Sequence, residues 1–254
     1  MLLGGSPEVK GEYFGELVES PKLASFCLTE PGAGSNVSGM RTTAVKHGNT
    51  YVINGSKTFI TNGGYADWFT VYAKTDKEAG HRGISAFLVR KDDTVIVDKH
   101  EDKMGQRASN TATITFNETE KIDAKYLLGE ENHGFRLAMM TLDRTRPGVA
   151  AMATGIARAA FEFATQYSKE RVQFGVPIAM HQAIQFMIAD MATKVHLSRL
   201  ATWNSAVLLD QGRRNTVESS HAKRFAQTPR WRSPPTRCRS TAATASSRTT
   251  RSRS

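Results

Sequence analysis

Cysteine is scarce in this chain. Cys27 and Cys238 are the two present in 254 residues, which provides no disulfide framework and points to a reducing setting. Long apolar runs are missing too: nothing approaches the ~18 consecutive apolar residues of a membrane-spanning helix. The opening MLLGGSPEVKGEYF has neither a basic leader nor an apolar stretch of signal-peptide length. Together these absences predict a cytoplasmic protein without a membrane partner. His, Cys, Asp and Glu nowhere cluster at metal-ligand spacing, so no metal is expected. No GxGxxG or GxxxxGK joins a strand pattern to a helix pattern, which leaves a Rossmann or P-loop site unsupported.

Acidic residues are missing from one region. Residues 227–254 hold seven arginines and no Lys, Asp or Glu. The chain carries +10 overall; removing those seven from its 34 basic residues leaves 27 against 24 acidic, so residues 1–226 carry only +3. Whatever the basic balance implies about partners, it implies about the tail alone.

What is present is enough to build a core, since 39% of the residues are hydrophobic. Residues 1–19 read as the end of a helical region. From about 20 to 130 the texture is β. TYVINGSKTFITNGG shows two β-branched and aromatic runs split by Asn54-Gly55, a strong hairpin signal. WFTVYAKT, ISAFLVRKD, TVIVDKH and TATITFNE follow as further short strands, which predicts a compact antiparallel barrel or sandwich. From about 131 to 226 the period becomes helical. Phe135, Ala138, Met139 and Leu142 share one face, and Pro147 should kink that helix or mark a boundary. A second long helix from Met180 to Gly212 has Ile184, Met187, Ile188, Met191, Val195 and Leu208 on its apolar face, and a third starts near Asn215. The fold class expected is α+β: a β domain followed by an incomplete helical bundle.

FCLTEPGAGSNVSG is the stretch richest in chemistry. Its Pro31-Gly32 and Gly34-Ser35 pairs make a turn whose backbone N–H groups can point outward to hold phosphate oxygens, with Thr29 and Ser35 adding hydroxyls. Followed in order by SKTFITNGG, MGQR, LDRTRP and ERVQFG, it is identified as belonging to a chain that resembles the acyl-CoA dehydrogenase family of flavoproteins. The resemblance covers essentially all of residues 1–226.

The resemblance implies FAD and an acyl-CoA as ligands, and α,β-dehydrogenation of a fatty or branched-chain acyl thioester as the activity. On it, Phe26, Leu28, Thr29, Gly34 and Ser35 lie along the flavin and its phosphates, with Ser35 also near substrate. Phe59, Ile60 and Thr61 contact the ring, the Thr61 hydroxyl near the hydride-accepting nitrogen. Asp143, Arg144, Thr145 and Arg146 reach the nucleotide of the acyl-CoA, where a guanidinium fork matches phosphate. Arg171, Gln173, Phe174, His181 and Gln182 contact the FAD of a neighbouring subunit, so a homo-oligomer and an electron-transfer flavoprotein are the family's partners. Read without the family, Arg144, Arg146 and Arg171 are solvated helix charges, His181 a surface residue, and Met104 and the helix methionines core filler. Glu30 is expected to be structural rather than a base.

Most of the family takes the α-proton with a Glu in a YEGT motif, and a minority with a Glu at the position held here by Thr145. Neither is present, so no catalytic residue is assigned and this copy, lacking the family's N-terminal helical domain and last helices, is expected to be inactive. The tail bears on this. Back-translated with free choice of synonymous codons and read from the third base of the Gln227 codon, it can yield DTAMEVATDAVQVYGGNGFIKDYPVE, which is what the family carries at this place. Residues 227–254 therefore read as a frameshifted and disordered tail. Two alternatives stand beside this: a nucleic-acid-binding protein acting through the Arg/Ser-rich tail, and a non-catalytic partner of an intact paralogue.

Overall fold

The computed structural model describes residues 1–227, and the sequence-based expectations for the remainder of the tail lie outside the described residues. The chain forms two compact units, one from Met1 to Thr141 and one from Leu142 onward. No helix among the described residues is long and apolar enough to cross a membrane.

The first unit is α+β. Helix α1 (Pro7–Glu19) starts at Ser6, whose hydroxyl accepts from the Val9 N–H, with proline at its first position. Strands β1 (Ala24–Cys27), β2 (Thr43–His47), β3 (Thr50–Thr61), β4 (Trp68–Lys74), β5 (Ile84–Arg90), β6 (Val95–His100), β7 (Thr111–Phe116) and β8 (Ile122–Asp123) form one sheet. Its order is β1-β4-β2-β3-β7-β6, with β5 on β4 and β8 on β3. The sheet is mixed and does not close into a barrel: β1 and β2 each run parallel to β4, and the other pairings are antiparallel.

Alternation along β4 and β5 explains why both read as almost unbroken apolar runs. Phe69, Val71, Phe87 and Val89 face a core shared with Ile53, Ile114 and Phe116. Their neighbours Trp68, Tyr72, Ile84, Ala86 and Leu88 face a second core under α1, with Val9, Tyr13, Leu137 and Ala138. Each strand is thus buried on both faces, which removes the polar half of the period-two pattern.

Asn54-Gly55 is not a hairpin turn. β3 runs straight through it, pairing with β2 up to Asn54 and with β7 from Gly55 onward. Gly55 takes a φ of 147°, and a Cβ there would lie 2.5 Å from the Thr42 hydroxyl. The glycine serves the change of partner, where β3 passes from pairing with β2 on one edge to pairing with β7 on the other, and not a reversal of the chain.

The second unit is built from helices. Helix α2 (Gly134–Glu170) begins in the first unit and continues here, followed by a two-stranded ribbon of β9 (Val172–Gln173) and β10 (Val176–Pro177), then α3 (Gln182–Asp210) and α4 (Thr216–Gln227). Val195 lies on the inward face of α3, and Ser198, Thr202 and Ser205 continue that face as buried polar residues. The Thr154 and Ser198 hydroxyls join α2 to α3 at 2.7 Å. Large apolar side chains stay exposed on both helices, among them Ile156 and Phe163 on α2 and Phe186 and Trp203 on α3. Methionine is not uniformly core filler: Met40 is buried, whereas Met104 is 88% exposed and Met180 67%.

Candidate functional site

In the first unit, the two stretches singled out around Phe26–Ser35 and Phe59–Thr61 are neighbours. The Thr58 N–H donates to the Thr29 carbonyl at 2.9 Å, and the Ser25 hydroxyl to the Thr61 carbonyl at 2.8 Å. Beyond Thr29 the chain closes a tight turn, with the Glu30 and Ala33 backbones bonded reciprocally at 3.0 and 3.1 Å. Those two bonds consume the Glu30 and Ala33 N–H groups. Among the described residues, the exposed Gly32, Gly34 and Ser35 N–H groups have no acceptor, so they remain available to an external anion.

The turn stands on a buried ion pair that sequence reasoning missed. Glu30 accepts from the Arg41 and Thr42 N–H groups at 2.6 and 3.0 Å and from Lys57 Nζ at 2.8 Å. Lys57 also donates to the Leu28 carbonyl at 3.3 Å, and its side chain has no exposure. Both carboxylate oxygens of Glu30 are thus engaged by the fold. Burial raises its carboxyl pKa, but the Lys57 charge and the three hydrogen bonds together outweigh it and hold the group below the ordinary carboxylate range. For Lys57 the balance goes the other way: burial lowers the amine more than Glu30 raises it. The carboxylate has three donors around it while the ammonium has two acceptors, so the pair is better satisfied at Glu30. A lysine at an inward position of β3, opposite a lone glutamate in a glycine-rich loop, was the available signal. Burial pushes the neighbouring Cys27 thiol up to about 12, against the pull of Lys57, which leaves it a neutral core residue.

Phe59 is held in the left-handed region, φ 57°, where β3 shifts register against β7 between Lys57 and Ile60. The bulge turns the Phe59 ring outward, 66% exposed, while Ile60 next to it is 2% exposed in the core. Ile60 thus has only its backbone to offer a ligand. Leu28 is likewise in the core, Thr61 is exposed, and Phe26 packs edge-on to Tyr72 with ring centroids 5.2 Å apart.

In the second unit, Asp143 and Arg146 form an ion pair at 2.6 Å, while Arg144 and Thr145 are exposed. The Thr145 hydroxyl donates to the Leu142 carbonyl at 3.3 Å. Pro147 lies inside α2, which continues past it. Gln173 and Val176 pair across the ribbon, with Phe174 and Gly175 at its tip at φ 55° and 78°. Two successive residues in that region suit a tight hairpin, and glycine suits them best. Phe174 is instead 94% exposed, its ring edge-on to His181 at 5.8 Å. His181 Nε2 is buried without a partner, and Arg171, Gln173 and Gln182 are exposed. A bulky residue at positive φ is strained, and such strain collects at functional sites. The other non-glycine residues with positive φ among those described are Asn, Gln or Glu, so the two phenylalanines stand apart.

The chain matches two family descriptions, "Acyl-CoA dehydrogenase, middle domain" over residues 25–119 and "Acyl-CoA dehydrogenase, C-terminal domain" over residues 132–232. It is 47% identical over 227 residues to the cyclohexane-1-carbonyl-CoA dehydrogenase of Geobacter metallireducens, covering 89% of this chain and 59% of that one. It is also 47% identical over 227 residues to the Caffeyl-CoA reductase-Etf complex subunit CarC of Acetobacterium woodii, covering 89% and 60%. Among solved structures, butyryl-CoA dehydrogenase from Megasphaera elsdenii superposes with a TM-score of 0.84 at 45% identity, covering 88% of this chain and 58% of that chain. The chain belongs to the acyl-CoA dehydrogenase family. It spans less than two thirds of the length of these relatives.

Members of the family are FAD-dependent flavoproteins. The donor set of the first unit fits such a group: N–H groups without an acceptor on exposed residues of a glycine-rich turn for anionic or carbonyl oxygens, an exposed aromatic ring held by its backbone, and an exposed threonine two residues on.

Proposed function

We propose that this chain binds FAD and the coenzyme A portion of an acyl thioester, in the service of α,β-dehydrogenation to the 2-enoyl thioester. The observation that carries the reading is the turn with unsatisfied Gly32, Gly34 and Ser35 N–H groups, tied directly to the strand holding Phe59 outward at positive φ. When bound, FAD supplies the two-electron acceptor for the hydride that leaves the β-carbon. The protein's part is binding and orientation. The turn N–H groups donate to anionic oxygens, Phe59 offers a ring face for stacking, and Thr61 presents a hydroxyl beside it. Arg146 supplies guanidinium donors for phosphate, and Arg144, exposed on the same helix, is proposed to reach the nucleotide from its own face.

Removing the α-proton needs a positioned carboxylate. Thr145 stands where a minority of the family has one, and a threonine hydroxyl stays neutral at physiological pH. The described residues therefore bind and orient without taking that proton, and the chain by itself is not expected to turn over substrate. Arg171, Gln173, Phe174, His181 and Gln182 are proposed to meet the cofactor of a second subunit, an electron-transfer flavoprotein to receive the electrons, and the cytoplasm to be the compartment. The relationship to a subunit of an Etf complex supports that redox partner.

Titrating FAD with the full chain and following flavin fluorescence tests the reading. Saturable quenching, weakened about tenfold or more by Gly34→Asp, is expected, because the variant sets a carboxylate among the turn donors. No saturable binding up to millimolar flavin, or equal affinity for both chains, overturns it.

A further inference from the structure

Proline inside a helix leaves a carbonyl without its donor. In α2 the residue is Pro147, and the carbonyl that loses its partner belongs to Asp143, four residues earlier. That carbonyl is not left unsatisfied. Asn215, 2% exposed at the start of α4, donates its side-chain amide to it at 3.3 Å. The same amide group reaches the Ser205 carbonyl and hydroxyl at 3.2 and 3.0 Å, which fixes Asn215 against the end of α3. The next residue holds the other end of Asp143: the Thr216 hydroxyl donates to Oδ2 at 2.5 Å. Arg146 Nη1 donates to Oδ1 at 2.6 Å.

Every oxygen of Asp143 is thus engaged within the second unit. Arg146, in contrast, uses one guanidinium nitrogen, and among the described residues its Nε and Nη2 have no acceptor. The side chain is 25% exposed, so those donors are reachable. We propose that Asp143 is not itself a substrate contact: Asp143, Asn215 and Thr216 are positioning residues that hold the Arg146 fork for a phosphate of the coenzyme A nucleotide, with Asn215 replacing the donor that Pro147 removes. This rests on the substrate reading given above, and it assigns the LDRTR segment two distinct roles. Arg146 binds, and Asp143 aims it. A guanidinium anchored at one nitrogen keeps a planar edge with fixed direction, which is what bidentate phosphate recognition requires.

The test is a double-substitution cycle on the full chain, read by coenzyme A affinity in calorimetry and by thermal melting. Arg146→Gln should weaken coenzyme A about tenfold or more, the equivalent of a hydrogen bond to a charged group. Thr216→Val should weaken it several-fold while leaving the melting temperature nearly unchanged. Asn215→Ala should lower both affinity and melting temperature. Pro147→Ala restores a backbone N–H to Asp143, so Asn215→Ala made in that background should lose much of its effect on both readouts. Should Asn215→Ala fail to fold, Thr216→Val and the Pro147→Ala double variant still decide. The positioning role is overturned if Arg146→Gln weakens coenzyme A while Thr216→Val and Asn215→Ala do not, or if Asn215→Ala costs the same with and without Pro147. If Arg146→Gln itself leaves coenzyme A affinity unchanged, the substrate reading fails, and the positioning role for phosphate falls with it.

Discussion

Replacing Lys57 with methionine should be among the most damaging single changes in the first unit. The substitution keeps the volume of the buried stem but removes the ammonium that sits 2.8 Å from Glu30. Glu30, 6% exposed, would keep its two backbone donors and lose its countercharge. Removing one partner of a buried pair costs about 3–5 kcal/mol, because the remaining charge stays desolvated. Against a total margin of about 5–15 kcal/mol, that is a large share. Urea unfolding of the full chain, followed by the fluorescence of buried Trp68, measures it.

The pH dependence sharpens the prediction. The Glu30 carboxyl is held below its ordinary range in the folded chain, so its contribution is complete above the unfolded carboxylate pKa and is lost as pH falls through the folded one. In Lys57→Met the burial that raises this pKa acts with less opposition, and Glu30 should take up a proton at higher pH than in the native chain. The deficit of the variant should therefore be greatest near neutrality and shrink on acidification. Glu30→Gln combined with Lys57→Met should recover part of the loss, since no unpaired charge remains. The reasoning is refuted if Lys57→Met costs under about 1 kcal/mol, the range of an exposed pair, or if its cost does not fall with pH.

Other outcomes follow from single positions. Gly55→Ala forces a side chain into φ 147° and against Thr42; a loss of about 1–3 kcal/mol in urea unfolding is expected from the backbone strain, and an unchanged midpoint would contradict the described path of β3. Phe174→Gly should raise the melting temperature, since the residue is 94% exposed and its positive φ costs a phenylalanine but not a glycine; a lower melting temperature would show that the ring is packed. Thr145→Glu places a carboxylate at the exposed position on α2, and acyl-CoA-dependent bleaching of added FAD by this variant, absent from the parent chain, is the expected gain. DNA sequence across codon 227 should show a family-like reading frame one base away from the translated one, with the GGNG turn in it; an alternative frame interrupted by stop codons would refute the frameshift.

Much of the fold was legible because burial leaves a periodic trace. β4 to β7 announce themselves as apolar runs between turn residues. α3 shows the limit of that trace: of the apolar face expected from its sequence only Val195 is buried, and Ser198, Thr202 and Ser205 make up the rest of the inward face. The mixed pairing was not legible. β1 and β4 are joined side by side in parallel through contacts distant in sequence, and neither strand's own residues encode which neighbour it takes. Asn54-Gly55 misled for a related reason. The dipeptide signals a backbone that adopts positive φ, and Gly55 takes one where β3 changes partners within the sheet, not at a hairpin. Pro147 carried half of its message: a missing donor was certain from the residue, but Asn215, far along the chain, could be recognised as the replacement only once α4 had been brought against α2.

The candidate site is visible where local rules are broken and something nearby compensates. A phenylalanine at positive φ, a lysine without solvent and a proline within a helix are each unfavourable alone. Phe59 is held by the bulge on β3, Lys57 by Glu30, and the carbonyl left by Pro147 through Asn215. In each case the compensating contact lies beside residues nominated for binding: the turn ending at Ser35, the strand ending at Thr61, and Arg146. A chain selected for stability alone would more simply place glycine at the bulge and an apolar residue at position 57. The cost is retained where it fixes the direction of a group that faces outward, and that common property distinguishes these three places from the ordinary core.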